Sequence, residues 1–373
     1  MSKITKDAQR FRPLPSQPPP LNAVGPAHWV RENLLSSRFN IVMTVAALYL
    51  LFAVVPGILD WVILSANFSG STYDDCTDTG ACWVFVGQWM DSFLYGRYPR
   101  EEIWRINVGY LVLLFWVVPQ FSNVVPYRGY LMVFGLTGFP VVCYLLLSGD
   151  LIGLTPVETD LWGGFTLNLL LAYVGIVASL PIGVILALGR QSHMPVVRSL
   201  CVAFIELWRG VPLITILFMA SVMLPYFLPS GTDIDKVLRA MVGIALFQSA
   251  YMAEVIRGGL QALPKGQTEA AQALGLGYWQ SMRLIILPQA IRIVIPGIVN
   301  TFIALFKDTT LVGLIGLFEI LRVVQASIID PAWGSVATEG YLFEAAMFWI
   351  FCFGMSRYSQ NLEQKLHTGH KTR

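Results

Sequence analysis

Glu206 and Arg209 stand three residues apart at the edge of an apolar run, and Glu254 and Arg257 repeat that spacing one run later. On a helix, residues at i and i+3 share a face, so each pair can hold its opposite charges together. Ionisable groups within a membrane are costly and mark functional candidates. The two pairs either cross-link helices around a gate or act as static pairs that fix helix packing. A second cluster contains Asn300, Thr301, Lys307 and Asp308. There Lys307 could receive a substrate carboxylate and Asp308 an amino group, or the two neutralise each other at the outer interface. Gln248 and Ser249 fall in mid-run, where they either line a path or bond between helices.

Other chemistries lack their residues. No G-x-x-x-x-G-K-[ST] occurs, so the chain has no phosphate cradle of that kind. His28, His193, His367 and His370 lie in tails or loops. No HExxH and no paired carboxylates fall within an apolar run, so neither a membrane enzyme, a catalytic residue nor a metal site is expected. The net charge of +2 is too small to argue for nucleic acid.

The elements that must hold these residues are membrane helices. Charged residues make up 13% of the 373-residue chain, against about 25% in an ordinary soluble domain. Hydrophobic residues reach 55% and the mean hydropathy is +0.61, so lipid must cover part of the surface. A crossing helix needs about 20 mostly apolar residues. Eight stretches qualify: Asn40–Leu64, Ile106–Val125, Gly129–Ser148, Gly163–Leu188, Cys201–Leu228, Val237–Ile256, Ala290–Phe306 and Gly340–Met355. Asp308–Val324 is interrupted by Gly313 and Gly316 and reads as re-entrant or a short helix. The fold expected is an all-α polytopic membrane protein with about eight transmembrane helices. Pro56, Pro119, Pro140, Pro181, Pro212 and Pro296 sit in or near these stretches and read as ordinary kinks.

Eight spans place both termini on one side, and basic loops choose the cytoplasm. The first 38 residues carry Lys3, Lys6, Arg10, Arg12, Arg31 and Arg38, with no cleavable signal peptide. Arg190–Arg198, the loop with Arg257, Lys265 and Arg283, and the C-terminal tail fall on the same side. Asp74, Asp75, Asp78, Asp150, Glu158, Asp160, Asp233 and Asp235 fall on the other. Cys76 and Cys82 share the acidic loop on that oxidising side, as a disulfide or as two free thiols. Cys143, Cys201 and Cys352 lie in apolar runs as core residues.

Between Gly258 and Gln289 runs a long cytoplasmic loop with a helical pattern of its own, which suggests a partner. Pro264 suits a first helical turn, and Ala270, Ala271 and Leu274 read as one face. Gly275 and Gly277 close that helix. A second helix carries Tyr278, Met282 and Ile285 on one face and ends at Pro288. Small alanines allow close approach of another protein. Glu269, near the helix start, suits the macrodipole and an interfacial ion pair. An interfacial helix hairpin lying on the membrane fits the same spacing.

Glu269-Ala270-Ala271, three residues, Gly275, nine residues, then Ile285-Ile286-Leu287-Pro288 resembles the EAA loop of bacterial ABC importer permeases. In that family the loop docks in a groove of the ATPase. Glu206-Leu207-Trp208-Arg209-Gly210-Val211-Pro212, Tyr251-Met252-Ala253-Glu254-Val255-Ile256-Arg257-Gly258-Gly259 and Asn300 with Phe306-Lys307-Asp308-Thr309-Thr310-Leu311 resemble segments of its polar amino-acid uptake branch. Thr310 stands where serine is commoner. The likeness covers about Gly163–Tyr358.

The family core has five spans, and three more in front resemble the M-type subunit of the general L-amino-acid permease. Trp29-Val30-Arg31-Glu32-Asn33-Leu34 supports that subtype. The resemblance implies a translocation subunit, not an enzyme, that moves L-amino acids across the bacterial inner membrane. Its implied partners are a second permease in a heterodimer, an ABC ATPase dimer that binds ATP and Mg, a periplasmic amino-acid-binding protein and membrane lipid. Residues 1–38 would be a cytoplasmic tail and 39–150 three added spans with an acidic periplasmic loop. Residues 151–358 would be the core, with the coupling loop at 258–289, and 359–373 a second cytoplasmic tail. The competing class is an ATPase-independent secondary transporter, which would be expected to carry inverted repeats.

Overall fold

The computed structural model describes residues 25–77, 79–121, 128–227, 229 and 234–367. Lys3, Lys6, Arg10, Arg12, Asp78, Asp233, His370, Lys371 and Arg373 lie outside the described residues. The helices in the first part of the chain are α1 (Pro26–Asn33), α2 (Arg38–Leu59), α3 (Trp83–Tyr95), α4 (Ile103–Phe121), α5 (Arg128–Val133) and α6 (Phe139–Ser148). Then come α7 (Gly164–Arg190), α8 (Pro195–Gly210), α9 (Leu213–Phe218), α10 (Leu224–Phe227) and α11 (Lys236–Ala262). The last are α12 (Lys265–Ala273), α13 (Tyr278–Ser281), α14 (Leu287–Asp308), α15 (Ile320–Ser327) and α16 (Ala337–His367). The described secondary structure is helical except for a two-residue strand, Phe318–Glu319, bridged in parallel to Gly163 and Gly164.

The chain divides into two compact units. The first, residues 1–67 with 77–81, contains α1 and α2. Ser37 caps α2 by accepting the Asn40 N–H, and Thr44 donates back to the Leu34 carbonyl at 3.0 Å. No residue of α2 is buried, and its whole apolar circumference faces outward, as lipid contact requires.

The second unit, residues 68–76 with 82–373, holds the functional segments. Its centre is the pair α7 and α11. Near the loop after α11 these helices share a core of Ala187, Met252, Ala253 and Ile256 with Ile286 and Ala290. Toward the other end Leu171, Leu217, Ile244 and Leu305 form a second core. An aromatic core of Phe85, Phe93, Phe165, Phe306 and Trp333 joins α3 to α7, α14 and the α15–α16 connection.

The eight-span expectation is overturned, and with it the picture of a five-helix core behind three extra spans. Among the described residues three helical runs are long and apolar enough to cross a membrane: Arg38–Leu64, Gly164–Arg190 and Tyr278–Ile315. A fourth is reached when α8 and the Leu213–Phe227 run, bent by 102°, count together. The bend has a local cause. Pro212 cannot continue α8, and a residue before proline is pushed to extended backbone; Val211 sits at φ −110° and ψ 135°. The expected span Gly129–Ser148 is met only by a shorter apolar helix, Phe134–Ser148, which opens with a π-helical turn at Phe134–Gly138. Helix α11 carries Lys236, Arg239, Glu254 and Arg257 along its length, and α16 carries Glu339, Glu344 and Arg357. Charges spaced like this lower the apolar content of any crossing window, although both helices are long enough.

Cys76 and Cys82 are joined by a disulfide, with 5.5 Å between their Cα atoms. The Asp75 carboxylate beside it accepts the N–H groups of Ser71 at 2.7 Å and Thr72 at 3.0 Å. These two donors, Ser71 first, hold its pKa below the ordinary carboxylate value.

Candidate functional site

Helices α11, α12 and α14 place the two segments of greatest chemical interest side by side. Helix α11 ends at Ala262, and only Leu263 and Pro264 separate it from α12. Pro264 occupies the N-cap position, so it breaks the run and starts the new helix. On α12 the Ala271 side chain is buried, 1% exposed, whereas Glu269, Ala270 and Leu274 are exposed. The sequence placed Ala270, Ala271 and Leu274 on one face. The structure turns Ala271 inward and leaves Ala270 and Leu274, four apart, pointing out.

The C-terminus of α12 is closed by a Schellman motif. The Gly275 N–H bonds the Gln272 carbonyl at 2.9 Å, and the Leu276 N–H bonds that of Ala271 at 3.1 Å. This geometry needs a left-handed residue, and Gly275 supplies it at φ +75°. Gln280 Oε1 then accepts the Gly277 N–H at 3.1 Å and starts α13.

Pro288 does not end the second helix, as the spacing suggested. A π-helical turn, Met282–Ile286, precedes it, and α14 begins with Pro288 in its first turn. A first-turn proline removes no hydrogen bond the helix needs. The run therefore continues from Tyr278 to Ile315, and the corner is rigidly extended into a spanning helix. Gln289 Nε2 donates to Gln267 Oε1 at 3.2 Å and ties α12 to α14. Gly259 lets α11 and α14 approach. A Cβ there would sit 2.6 Å from the Ala290 carbonyl oxygen, closer than any side chain tolerates.

Eight to eleven residues before α12, the same helix α11 carries a charge node. Glu254, with its side chain 15% exposed, accepts from Arg257 Nε at 3.1 and 3.0 Å and from Arg257 Nη2 at 2.9 Å. Arg190 Nη1, at the end of α7, lies 3.0 Å from Glu254 and 2.9 Å from Glu206. Arg209 Nη1, at the end of α8, lies 3.6 Å from Glu254. The pair Glu254–Arg257 forms as the spacing implied, but Glu206 and Arg209 do not pair with each other. Glu206 is 56% exposed, so solvent screens its attraction, while the more buried Glu254 collects three guanidinium groups. Arg190 is the member that sequence reasoning missed. It registered there only as a basic loop residue, and its one local signal was a cation in the last helical turn.

The remaining candidates are dispersed. Gln248 Nε2 donates to the Thr301 carbonyl at 2.9 Å and Ser249 Oγ to that of Ala245 at 2.5 Å, so both are engaged in helix contacts. Asn300 and Lys307 are exposed and Asp308 is half-buried. No ion pair joins Lys307 to Asp308 among the described residues.

A polar knot that the sequence did not single out lies at the far end of α7. Buried Asn168 donates to Thr309 Oγ1 at 3.0 Å and to Glu319 Oε2 at 3.3 Å, and accepts the Ile320 N–H at 3.1 Å. Glu319, fully buried beyond the last spanning run, caps α15 by accepting the N–H groups of Leu321 and Arg322. Burial pushes its carboxyl up to about 7. Replacing Asn168 by leucine strips the knot of its central donor and acceptor. We expect about 1–3 kcal/mol of destabilisation, read as a lower melting temperature of the solubilised chain.

Residues 179–368, from the middle of α7 to the end of α16, match the model of the binding-protein-dependent transport system inner membrane component family. The chain belongs to this family. It is a membrane-embedded permease subunit, and in this family ATP hydrolysis is left to a separate ATPase. The permease is 54% identical to the inner membrane amino-acid ABC transporter permease protein YhdY of Escherichia coli (strain K12), over 95% of this chain and 97% of that one. It is 38% identical to the glutamate/glutamine/aspartate/asparagine transport system permease protein BztC of Rhodobacter capsulatus, over 97% and 98%. A solved amino acid ABC transporter with histidines matches 53% of the permease and 90% of its own chain, at 29% identity and a TM-score of 0.48. The family match sets aside the secondary-transporter alternative.

Proposed function

We propose that this permease passes L-amino acids into the cytoplasm and is driven through Glu269–Pro288 by an ABC ATPase dimer. The observation that carries the coupling role is the shape of α12. It is a short exposed helix with Glu269, Ala270 and Leu274 outward, closed by Gly275 and joined through two residues to the helix that holds Glu254. A push on α12 reaches α11 directly through that short link, and α14 through Gln289 and the Gly259 crossing. The amino-acid cargo is supported by the names of the full-length relatives. The partners in this reading are a second, non-identical permease and a periplasmic binding protein.

The loop faces the cytoplasm, where the ATPase is. Both termini lie on that side too. Basic Arg31 precedes the run Arg38–Leu64 and Arg38 opens it, while its far end carries Asp60, and α16 runs from Glu339 and Glu344 toward Arg357 and Lys365. We also place the substrate path near Asn300, Lys307 and Asp308, whose side chains are not spent on one another.

The test is reconstitution. The tagged chain should bring down an ATPase, and vesicles holding both with the binding protein should take up amino acids only with ATP. Full uptake without the ATPase would sink the coupling role, and uptake of other solutes alone would sink the cargo.

A further inference from the structure

Two of the three spanning runs expose apolar side chains along their length. The exposed positions of α2 from Ile41 to Leu59 carry no charge, and α7 exposes only Pro181 and Ile185. Helix α14 differs. Past Ala290 its exposed residues are Arg292, Ile293, Asn300, Ala304 and Lys307. At 3.6 residues per turn they fall within about 120° of the circumference, and Arg292 to Lys307 covers about 22 Å of a hydrocarbon layer roughly 30 Å thick. The stripe holds two cations and an amide, and no carboxylate. The opposite side of the helix, with Ala290, Ile298 and Leu305, is buried in the cores around α7 and α11.

The chain itself does not engage these groups. Among the described residues the side chains of Arg292, Asn300 and Lys307 make no hydrogen bond and no ion pair. Arg190, Arg209 and Arg257, by contrast, all reach Glu254. The stripe also carries an open backbone acceptor. Pro296 lies inside α14 and has no N–H, so the Arg292 carbonyl loses its helical donor. Ionised side chains and open carbonyls are costly against acyl chains and persist at membrane depth where a water-filled cavity solvates them.

We propose that the stripe Arg292–Asn300–Lys307 lines a water-filled substrate path and that its two cations receive, in turn, the α-carboxylate of the passing amino acid. This rests on the amino-acid cargo proposed above and adds Arg292 to the path. Asn300, between the cations, both donates and accepts without charge. A stripe of cations without a carboxylate favours acidic and neutral amino acids over basic ones. A second permease packed against the stripe would instead exclude water from it.

Asn300→Cys places a thiol midway along the stripe. Leu50→Cys is the control, at a 59% exposed position midway along apolar α2. The assembled transporter in membranes is treated with an anionic sulfonatoethyl or a cationic trimethylammonioethyl methanethiosulfonate, without nucleotide and with ATP. Labelling at the introduced thiol is read by peptide mass. Asn300→Cys should label with both reagents and Leu50→Cys with neither. Changing Arg292 and Lys307 together to glutamine should lower the anionic-to-cationic rate ratio of Asn300→Cys at least about tenfold. In the same membranes Lys307→Gln should cut uptake at least about tenfold, and Lys307→Arg, which restores the charge, should recover most of it. No labelling of Asn300→Cys in either nucleotide state, a rate ratio indifferent to the two glutamines, uptake unaffected by Lys307→Gln, or no recovery by Lys307→Arg would each overturn the proposal. Labelling requires no transport, so failure here is separable from failure of the coupling role or of the cargo.

Discussion

Glu254→Gln should cut ATP-driven uptake at least about tenfold and lower the stability of the solubilised chain by about 2 kcal/mol. Glutamine keeps the size and one acceptor oxygen, so packing is unchanged. What disappears is, among the described residues, the only carboxylate within reach of Arg190, Arg209 and Arg257 together. Three guanidiniums then face Glu206 alone, which reaches Arg190 at 2.9 Å and is more than half exposed. Removing one partner of a buried pair costs about 3–5 kcal/mol; the partial exposure of these arginines lowers the figure. A second substitution separates charge from shape. Arg190→Gln added to Glu254→Gln removes part of the repulsion and should recover part of the lost stability, measured by thermal melting.

The same pair of variants distinguishes a gate from a static brace. Glu254 ties the ends of α7, α8 and α11, the last of which runs into α12. If the node only braces the fold, uptake and stability fall together and return together in the double variant. If it changes partners during transport, the double variant melts normally and still fails to move substrate. Wild-type uptake by Glu254→Gln would remove the node from the mechanism.

Gly275→Pro should abolish ATP-driven uptake while the chain still inserts and folds around its spanning helices. Proline is locked near φ −65°, about 140° from the +75° that the corner requires. It also deletes the N–H that bonds the Gln272 carbonyl, so the Schellman closure of α12 is lost twice over. A Cβ at Gly275 meets nothing within 4 Å, so the effect comes from backbone shape and not from a clash. Gly275→Ala keeps the N–H and pays only the left-handed strain, about 1–2 kcal/mol, so its uptake should fall between the two. Glu269→Lys should give the same loss by a different route, reversing an exposed charge on the outward face of α12. The measurement is stimulation of the partner ATPase by the reconstituted permease. Normal stimulation in both Gly275→Pro and Glu269→Lys would refute docking at this loop.

Much of the loop was readable before any fold was known, because its information is local. Pro264 at the start of α12 and Gly275 at its close are instructions to the backbone within a few residues, whereas the inward turn of Ala271 was set by packing. The motif spacing around Glu269 and Gly275 led to the family by resemblance, and the family match agrees. Pro288 was misread because proline stops a helix interior but not a first turn, and which applies depends on the π-helical turn before it. The span count failed for a related reason. Apolar content counts as membrane only when one helix is long enough, and Pro212 bends one of the eight by 102° while another shortens to Phe134–Ser148.

The sequence by itself determined the helical class, the lipid-facing character of the chain, the corner at Gly275 and the residue types of the two charged segments. Only the tertiary structure decided who pairs with whom. Arg190 and Glu254 are 64 positions apart in the chain and 3.0 Å apart in space, and no periodicity within one helix connects them. Charge attraction falls with distance and with solvent screening, so the partner is set by how α7, α8 and α11 pack and how deeply each carboxylate is covered. The same holds for Asn168 with Glu319. Their sequence neighbours are unremarkable, and it is burial that leaves their polar atoms in need of partners.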